Sequence, residues 1–348
     1  MKKIVFIMFL LLVSCTTAKI EVTVTPMPTE TQSPTSTPTL TLTPIGSSSG
    51  NILFTTANVE NEKNADLAII NIETKTITKL TDNKNQSISY LFPSISVDGK
   101  KIAFGIQHNI ETSLADEFPQ MMLYIMDFNG ENQQKITSIP MYRGDERIED
   151  YVMENHPAFS PDGTQLAYSS NKDSLIKTGI LGFSDSEIYV IDLKTFESQQ
   201  LTKAKGMSIH PSWSPDGSQI AFCSDRDGDF DIYIMNSDGT GKDTNLMKNT
   251  TTERYPSWSH NGKYIVYHSD RDGNNNLYIY NIDTKVESQL TDNPASDVTG
   301  RWSPDDKWIA FTSDRDGDYE IYIINVATKE EIKITDNSVE DAFVYWIP

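Results

Sequence analysis

The feature that most restricts this chain is a phrase it repeats. Pro211-Ser212-Trp213-Ser214-Pro215-Asp216-Gly217 is followed by Gln219-Ile220-Ala221-Phe222. Variants occur at Pro256-Ser257-Trp258-Ser259 with Ile265-Val266-Tyr267, and at Trp302-Ser303-Pro304-Asp305 with Ile309-Ala310-Phe311. Earlier copies are His156-Pro157-Ala158-Phe159-Ser160-Pro161-Asp162-Gly163 and Pro93-Ser94-Ile95-Ser96-Val97-Asp98-Gly99. The anchors Ile95, Phe159, Trp213, Trp258, Trp302 and Trp346 stand 64, 54, 45, 44 and 44 residues apart. A period in this range marks an array of units, none of which can bury its faces alone.

Each unit holds four short runs rich in aromatic and β-branched residues, which is strand composition. In the fourth unit they fall near 210–214, 219–223, 231–236 and 244–247. Ser-Pro-Asp-Gly joins the first two, with Pro presetting φ and Gly accepting the left-handed position. Asp306 stands in for that Gly in the sixth unit, a place Asp tolerates. Four antiparallel strands arranged radially predict an all-β fold, a six-bladed β-propeller. The first unit lacks an inner strand, because Asn51 already begins a second one. The chain ends in an orphan inner strand, Phe343 to Ile347. The C-terminal strand is therefore expected to complete the first blade and remove two open edges.

These phrases, with Ser-Asp-Arg-Asp-Gly and Ile-Tyr-Ile, resemble the TolB-type, WD40-like (PD40) β-propeller repeats over about 52–347. The Gly-His and Trp-Asp marks of true WD40 repeats are missing. TolB itself carries an N-terminal α/β domain before its propeller, whereas here a linker runs directly into a blade. The resemblance implies a lipid-anchored relative of TolB rather than TolB, and speaks only weakly for TolB's own partner.

The head is read separately. Lys2 and Lys3 precede ten apolar residues, Ile4 to Val13, too few for a spanning helix and right for a signal sequence. Leu12-Val13-Ser14-Cys15 resembles the bacterial lipobox, which implies removal of residues 1–14 and lipidation of Cys15. Acyl chains there bury CH₂ groups at ~0.8 kcal/mol each. Residues 21–50 contain nine Thr, five Pro and five Ser. They bury too little apolar surface to offset their chain entropy, so 15–50 reads as a disordered tether. The expected organisation is a signal peptide at 1–14, a lipidated tether at 15–50 and a propeller at 51–348. The expected location is the cell envelope, at the outer membrane or cell surface.

A net charge of −20 argues against nucleic acid, which needs clustered Lys and Arg. Two Cys cannot make a disulfide framework. In a propeller, loops from second to third strands share a face with the loops that enter the next blade. The long insertions 105–121, 138–155 and 171–186 fall in these classes, where function concentrates on rigid scaffolds. So do the Asp-Arg-Asp-Gly loops: Asp225, Arg226, Asp227 and Asp229; Asp270, Arg271 and Asp272; Asp314, Arg315, Asp316 and Asp318. With Asp231 and Glu320 they would attract a basic partner. The competing reading is structural: Asp-Gly is turn chemistry, and each Arg pairs with adjacent carboxylates to hold blades in register. A third is calcium, which suits oxygen-rich loops, although Gly228 is fourth from Asp225 rather than sixth as in an EF-hand.

His156 and His210 hold equivalent places just before the inner-strand Pro of adjacent blades; the equivalent places elsewhere hold Phe92, Tyr255 and Thr299. They are expected near the channel mouth, and two His alone make a poor metal site. The anchor Trp residues are expected between blades, and Cys223 as a lone, shielded thiol. Gly-x-Ser-x-Gly and His-Glu-x-x-His are absent. The reading is a non-catalytic, monomeric binding module without a cofactor, for an envelope or extracellular protein or glycan. The alternative is an oligogalacturonide-lyase-like enzyme using His156 and His210.

Overall fold

A computed structural model describes residues 50–57, 64–83, 88–108, 121–136, 142–143, 146–147, 152–173 and 186–348. Cys15, the signal peptide and the tether lie outside them, as do most of the three insertions. Six four-stranded antiparallel sheets account for the repeats. Blade 4 is representative: Ser208–Trp213, Gln219–Ser224, Asp231–Asn236 and Thr244–Asn245, from axis to rim. Blade 3 begins at Glu154–Phe159, blade 5 at Glu253–Trp258 and blade 6 at Asp297–Trp302. Blade 2 begins at Ile88–Ile95. A small extra hairpin pairs Tyr142–Arg143 with Glu146–Arg147.

Blade 1 takes its inner strand from the far end of the chain. Asp341–Trp346 lies antiparallel to Asn51–Ala57, with Trp346 opposite Ile52 and Tyr345 opposite Leu53. Backbone bonds from Ala57 N to Glu340 O (2.8 Å) and from Ile347 N to Asn51 O (3.0 Å) extend the seam. The closing strand meets the expectation, and its pairing covers the Asn51–Ala57 edge.

The repeated residues each do local work. In the Ser-Pro-Asp-Gly turns Ser214 Oγ donates to Asp216 at 2.6 Å, and Gly217 adopts φ 73°. Asp306 takes φ 57° in the sixth copy and accepts bonds from the backbone N of His260 and Asn261, both at 2.8 Å. In the Leu-Thr-Asp-Asn segments the Thr hydroxyl bridges to the third strand. Thr81 Oγ1 accepts from Leu67 N (2.9 Å) and donates to Asp66 (3.0 Å), and Thr335 repeats this with Ile321 N and Glu320.

The anchor Trp residues pack between blades. Trp213 sits among Ala158, Ala167 and Val190 of blade 3 and Ile220 and Phe222 of its own blade. Its Nε1 donates to Ala158 O at 3.0 Å; Trp302 reaches Ser257 O at 3.1 Å and Trp346 reaches Arg301 O at 3.0 Å. Trp258 is equally buried, yet its Nε1 has no partner.

Candidate functional site

All six inner strands carry the same irregularity. Pairing skips two residues on each, for example between Ile209 and Ser212 and between Arg254 and Ser257. The first skipped residue is left-handed in every blade: Phe92, His156, His210, Tyr255, Thr299 and Phe343 have φ between 52° and 58°. Such a conformation costs a non-glycine residue on the order of 1–2 kcal/mol. The bulge turns these side chains toward the axis, where they meet. Ring centroids are 4.4 Å apart for Phe343 and Phe92, 4.0 Å for Phe92 and His156, 4.1 Å for His156 and His210, and 3.7 Å for His210 and Tyr255. His156 and His210 are therefore not at an open mouth but inside an aromatic plug, 9% and 3% exposed. What remains is a cavity of about 20 Å³ beside the plug.

The plug is electrically unusual. Asn155 Oδ1 lies 2.8 Å from His156 Nδ1, so that nitrogen carries the hydrogen and Tyr255 OH donates to Nε2 at 3.2 Å. His210 Nδ1 lies 3.1 Å from Cys223 Sγ. Burial drives His156 and His210 well below the usual imidazole range, with Arg301 adding to the effect on both. His268 falls to about 3, through burial and then Arg254. Burial lifts Cys223 to about 12, making it an inert thiol.

The acidic loops lie on one face. Glu253 N, entering blade 5, donates to Phe230 O in the blade 4 loop (2.6 Å). Three loops share one construction. The first Asp accepts a backbone N–H from the segment entering the same blade's inner strand: Asp225 from Met207, Asp270 from Thr252, and Asp314 from Ser296, at 2.6–2.9 Å. The second accepts a Tyr hydroxyl: Asp227 from Tyr233 (2.6 Å), Asp272 from Tyr278, and Asp316 from Tyr322. Gly228, Gly273 and Gly317 close the turns at φ 124°, 95° and 102°.

Each Arg turns inward. Arg226 pairs with Asp243 (2.6 Å), Arg271 with Glu253 (3.3 Å) and Glu287 (2.5 Å), and Arg315 with Asp297 (3.0 Å) and Glu331. These partners belong to the same blade as the Arg, so the pairs tie strands within a blade; they do not hold one blade in register with the next. Each guanidinium also lies over the third-strand Tyr, 4.6 Å from Tyr233, 4.3 Å from Tyr278 and 4.4 Å from Tyr322. Blade 3 has a fourth version that the sequence reading missed. Lys172 sits 4.1 Å from the centre of the Tyr189 ring and bonds Tyr168 OH and Ser198 Oγ, both at 2.8 Å. The signal was its place, two residues beyond the Ser that ends the second strand.

The inward Arg residues leave Asp227, Asp229, Asp270 and Asp272 exposed on the rim, and Asp316 exposed there in an ion pair with Lys333 at 2.8 Å. Asp225, Asp314 and Asp318 are half-buried. The structure thus brings the loop acids to one face but leaves His156 and His210 apart from them, on the axis. Among the described residues no three His, Cys, Asp or Glu converge to hold a metal.

The family described as "PD40: TolB beta propeller domain" matches residues 143–271 and 240–345. The chain is 30% identical over 145 residues to the "Protein TolB homolog" of Chlorobaculum tepidum, covering 41% of this chain and 27% of that protein. It is 37% identical over 89 residues to the "Uncharacterized peptidase YuxL" of Bacillus subtilis, covering 25% and 13%. The chain thus spans less than a third of these relatives. Among solved structures, TolB from Acinetobacter baumannii superposes with a TM-score of 0.67 at 21% identity, covering 87% of this chain and 68% of that one. An oligogalacturonate lyase in complex with manganese gives 0.53 at 18% identity, covering 82% and 73%. At such identities the structural likeness speaks for the fold.

Proposed function

Because the chain belongs to the TolB β-propeller (PD40) family, we propose that it is a non-catalytic protein-binding module of the cell envelope. Its ligand is a protein with a basic surface, docked on the acidic loop face. The observation that carries this is the inward turn of Arg226, Arg271 and Arg315. Their charge is spent on carboxylates inside the blades, so the rim acids keep an attractive potential for a cationic partner. Preorganised loops also lower the ordering cost of docking. Residues 1–14 serve as signal peptide, Cys15 carries the lipid and 15–50 tether the propeller to the membrane.

The lyase alternative fares worse on physical grounds. His156 and His210 are desolvated and stand beside Arg301, which repels a divalent cation. A glycan ligand lacks the positive charge that the rim selects.

The test is proximity crosslinking on cells. The triple variant Asp229→Asn, Asp270→Asn, Asp272→Asn is compared with the parent, at low and high salt. Loss of specific crosslinks in the variant, and at high salt in the parent, is expected. An unchanged crosslink pattern refutes the acidic docking face. Cys15→Ser is expected to release the protein from the membrane fraction.

A further inference from the structure

The axial cavity has a chemistry that neither the acidic face nor the family likeness explains. Its walls include Phe92, His156, His210, Tyr255, Arg301 and Phe343. Arg301 is the departure: the equivalent inner-strand places hold Ser94, Ala158, Ser212, Ser257 and Tyr345. Its guanidinium makes one long contact, Nη1 to Pro256 O at 3.4 Å, and lies 5.6 Å from the centre of the Tyr345 ring. Among the described residues no carboxylate pairs with it. This contrasts with Arg226, Arg271 and Arg315, each held by one or two carboxylates in the same molecule. A partly buried cation without a counter-charge is costly.

A second group points the same way. His210 is 3% exposed and its Nε2 has no partner. Cys223 Sγ lies closer to His210 Nδ1 (3.1 Å) than to Ile209 O (3.4 Å). Assigning the thiol hydrogen to Nδ1, the nearer of its two acceptors, places the ring hydrogen on Nε2, which then has no acceptor of its own. The neighbouring Arg301 charge disfavours a metal cation here.

We propose that this axial cavity is a site for one small monovalent anion of the halide class, held by Arg301 and by the Nε2–H of His210. At about 20 Å³ the cavity has room for roughly one water-sized particle, a better match to a small anion than to phosphate, sulfate or larger carboxylates. The anion supplies the counter-charge that Arg301 lacks and the acceptor that His210 lacks. It is a structural ligand of the hub, not a substrate, and it does not depend on the docking face.

The test is halide titration of the purified full chain, read by chloride-35 NMR line width. Melting temperature is followed in parallel, in sodium chloride against sodium gluconate at equal ionic strength. The parent is expected to show saturable broadening and a higher melting temperature in chloride. Arg301→Met is expected to weaken binding at least tenfold, while Arg301→Lys, which keeps the charge, retains most of it. His210→Asn is expected to weaken it less than Arg301→Met does. Absence of saturable broadening in the parent overturns the proposal, whether or not the variants fold. So does an Arg301→Met protein that folds and binds as the parent does.

Discussion

The four anchor Trp residues offer an internally controlled experiment on what holds one blade to the next. All four are buried between blades, 9% exposed or less. Trp213, Trp302 and Trp346 each donate from Nε1 to a carbonyl of the preceding blade at 3.0–3.1 Å; Trp258 Nε1 donates to nothing. Trp→Phe keeps most of the apolar contact and deletes the N–H. At the first three positions this removes a hydrogen bond worth about 1 kcal/mol and strands a carbonyl, for a cost of ~1–3 kcal/mol beyond the lost volume. At position 258 it removes a buried unsatisfied donor, so only the volume term remains, offset by relief of that donor. Urea unfolding of the four single variants should therefore rank Trp258→Phe as the least destabilising, by ~1–3 kcal/mol. Trp346→Phe should also raise the oligomer fraction on gel filtration, because it weakens the seam that closes the ring. If Trp258→Phe costs as much as the other three, the carbonyl contacts do not bind the blades.

Arg271→Met leaves Glu253, whose side chain is fully buried, without its cation. It should destabilise the fold by ~3 kcal/mol at pH 8 and by less in acid, because burial raises the Glu253 carboxyl and favours its neutral form; equal losses at both pH values would refute the pairing. Asp341, on the closing strand, has its carboxyl raised to about 7, chiefly by burial. A raised acid stabilises the fold below its unfolded value and loses that contribution as pH climbs toward 7. Asp341→Asn should thus gain on the parent between about pH 4 and pH 7 and level off above that, by at most ~1.4 kcal/mol per pH unit. The buried His156, His210 and His268 act oppositely, with stability present above about 6.5 and lost on acidification. His268→Phe should flatten the acid limb of a thermal stability profile, and an unchanged limb would exclude that residue. Deleting 341–348 uncovers the Asn51–Ala57 edge and the core around Ile52, Phe54 and Ile321; a truncated monomer that melts like the parent would contradict the closure.

Much of the architecture could be read directly. The turn residues, the Leu-Thr-Asp-Asn bridges and the orphan strand bearing Trp346 are local chemistry repeated in register, so sequence spacing reports them. The axis was not legible in this way. Phe92, His156, His210, Tyr255, Thr299 and Phe343 look like ordinary strand residues, and their left-handed backbone is rare for such side chains. Only their shared place before the second skipped residue marks them. Charge direction was hidden too. Asp225-Arg226-Asp227 reads as a mixed cluster on one surface, but a long side chain can turn into the blade while its neighbours face water. Arg301 was invisible because one charged residue among uncharged equivalents looks like drift until the ring is assembled around it.

The plug at the hub has a consequence for how the molecule is used. With aromatic and imidazole rings filling the middle, nothing as wide as a peptide passes from one side of the disc to the other. Any tail captured at the rim must turn back on the side where it arrived, so events on opposite sides are joined only through the rigid sheets.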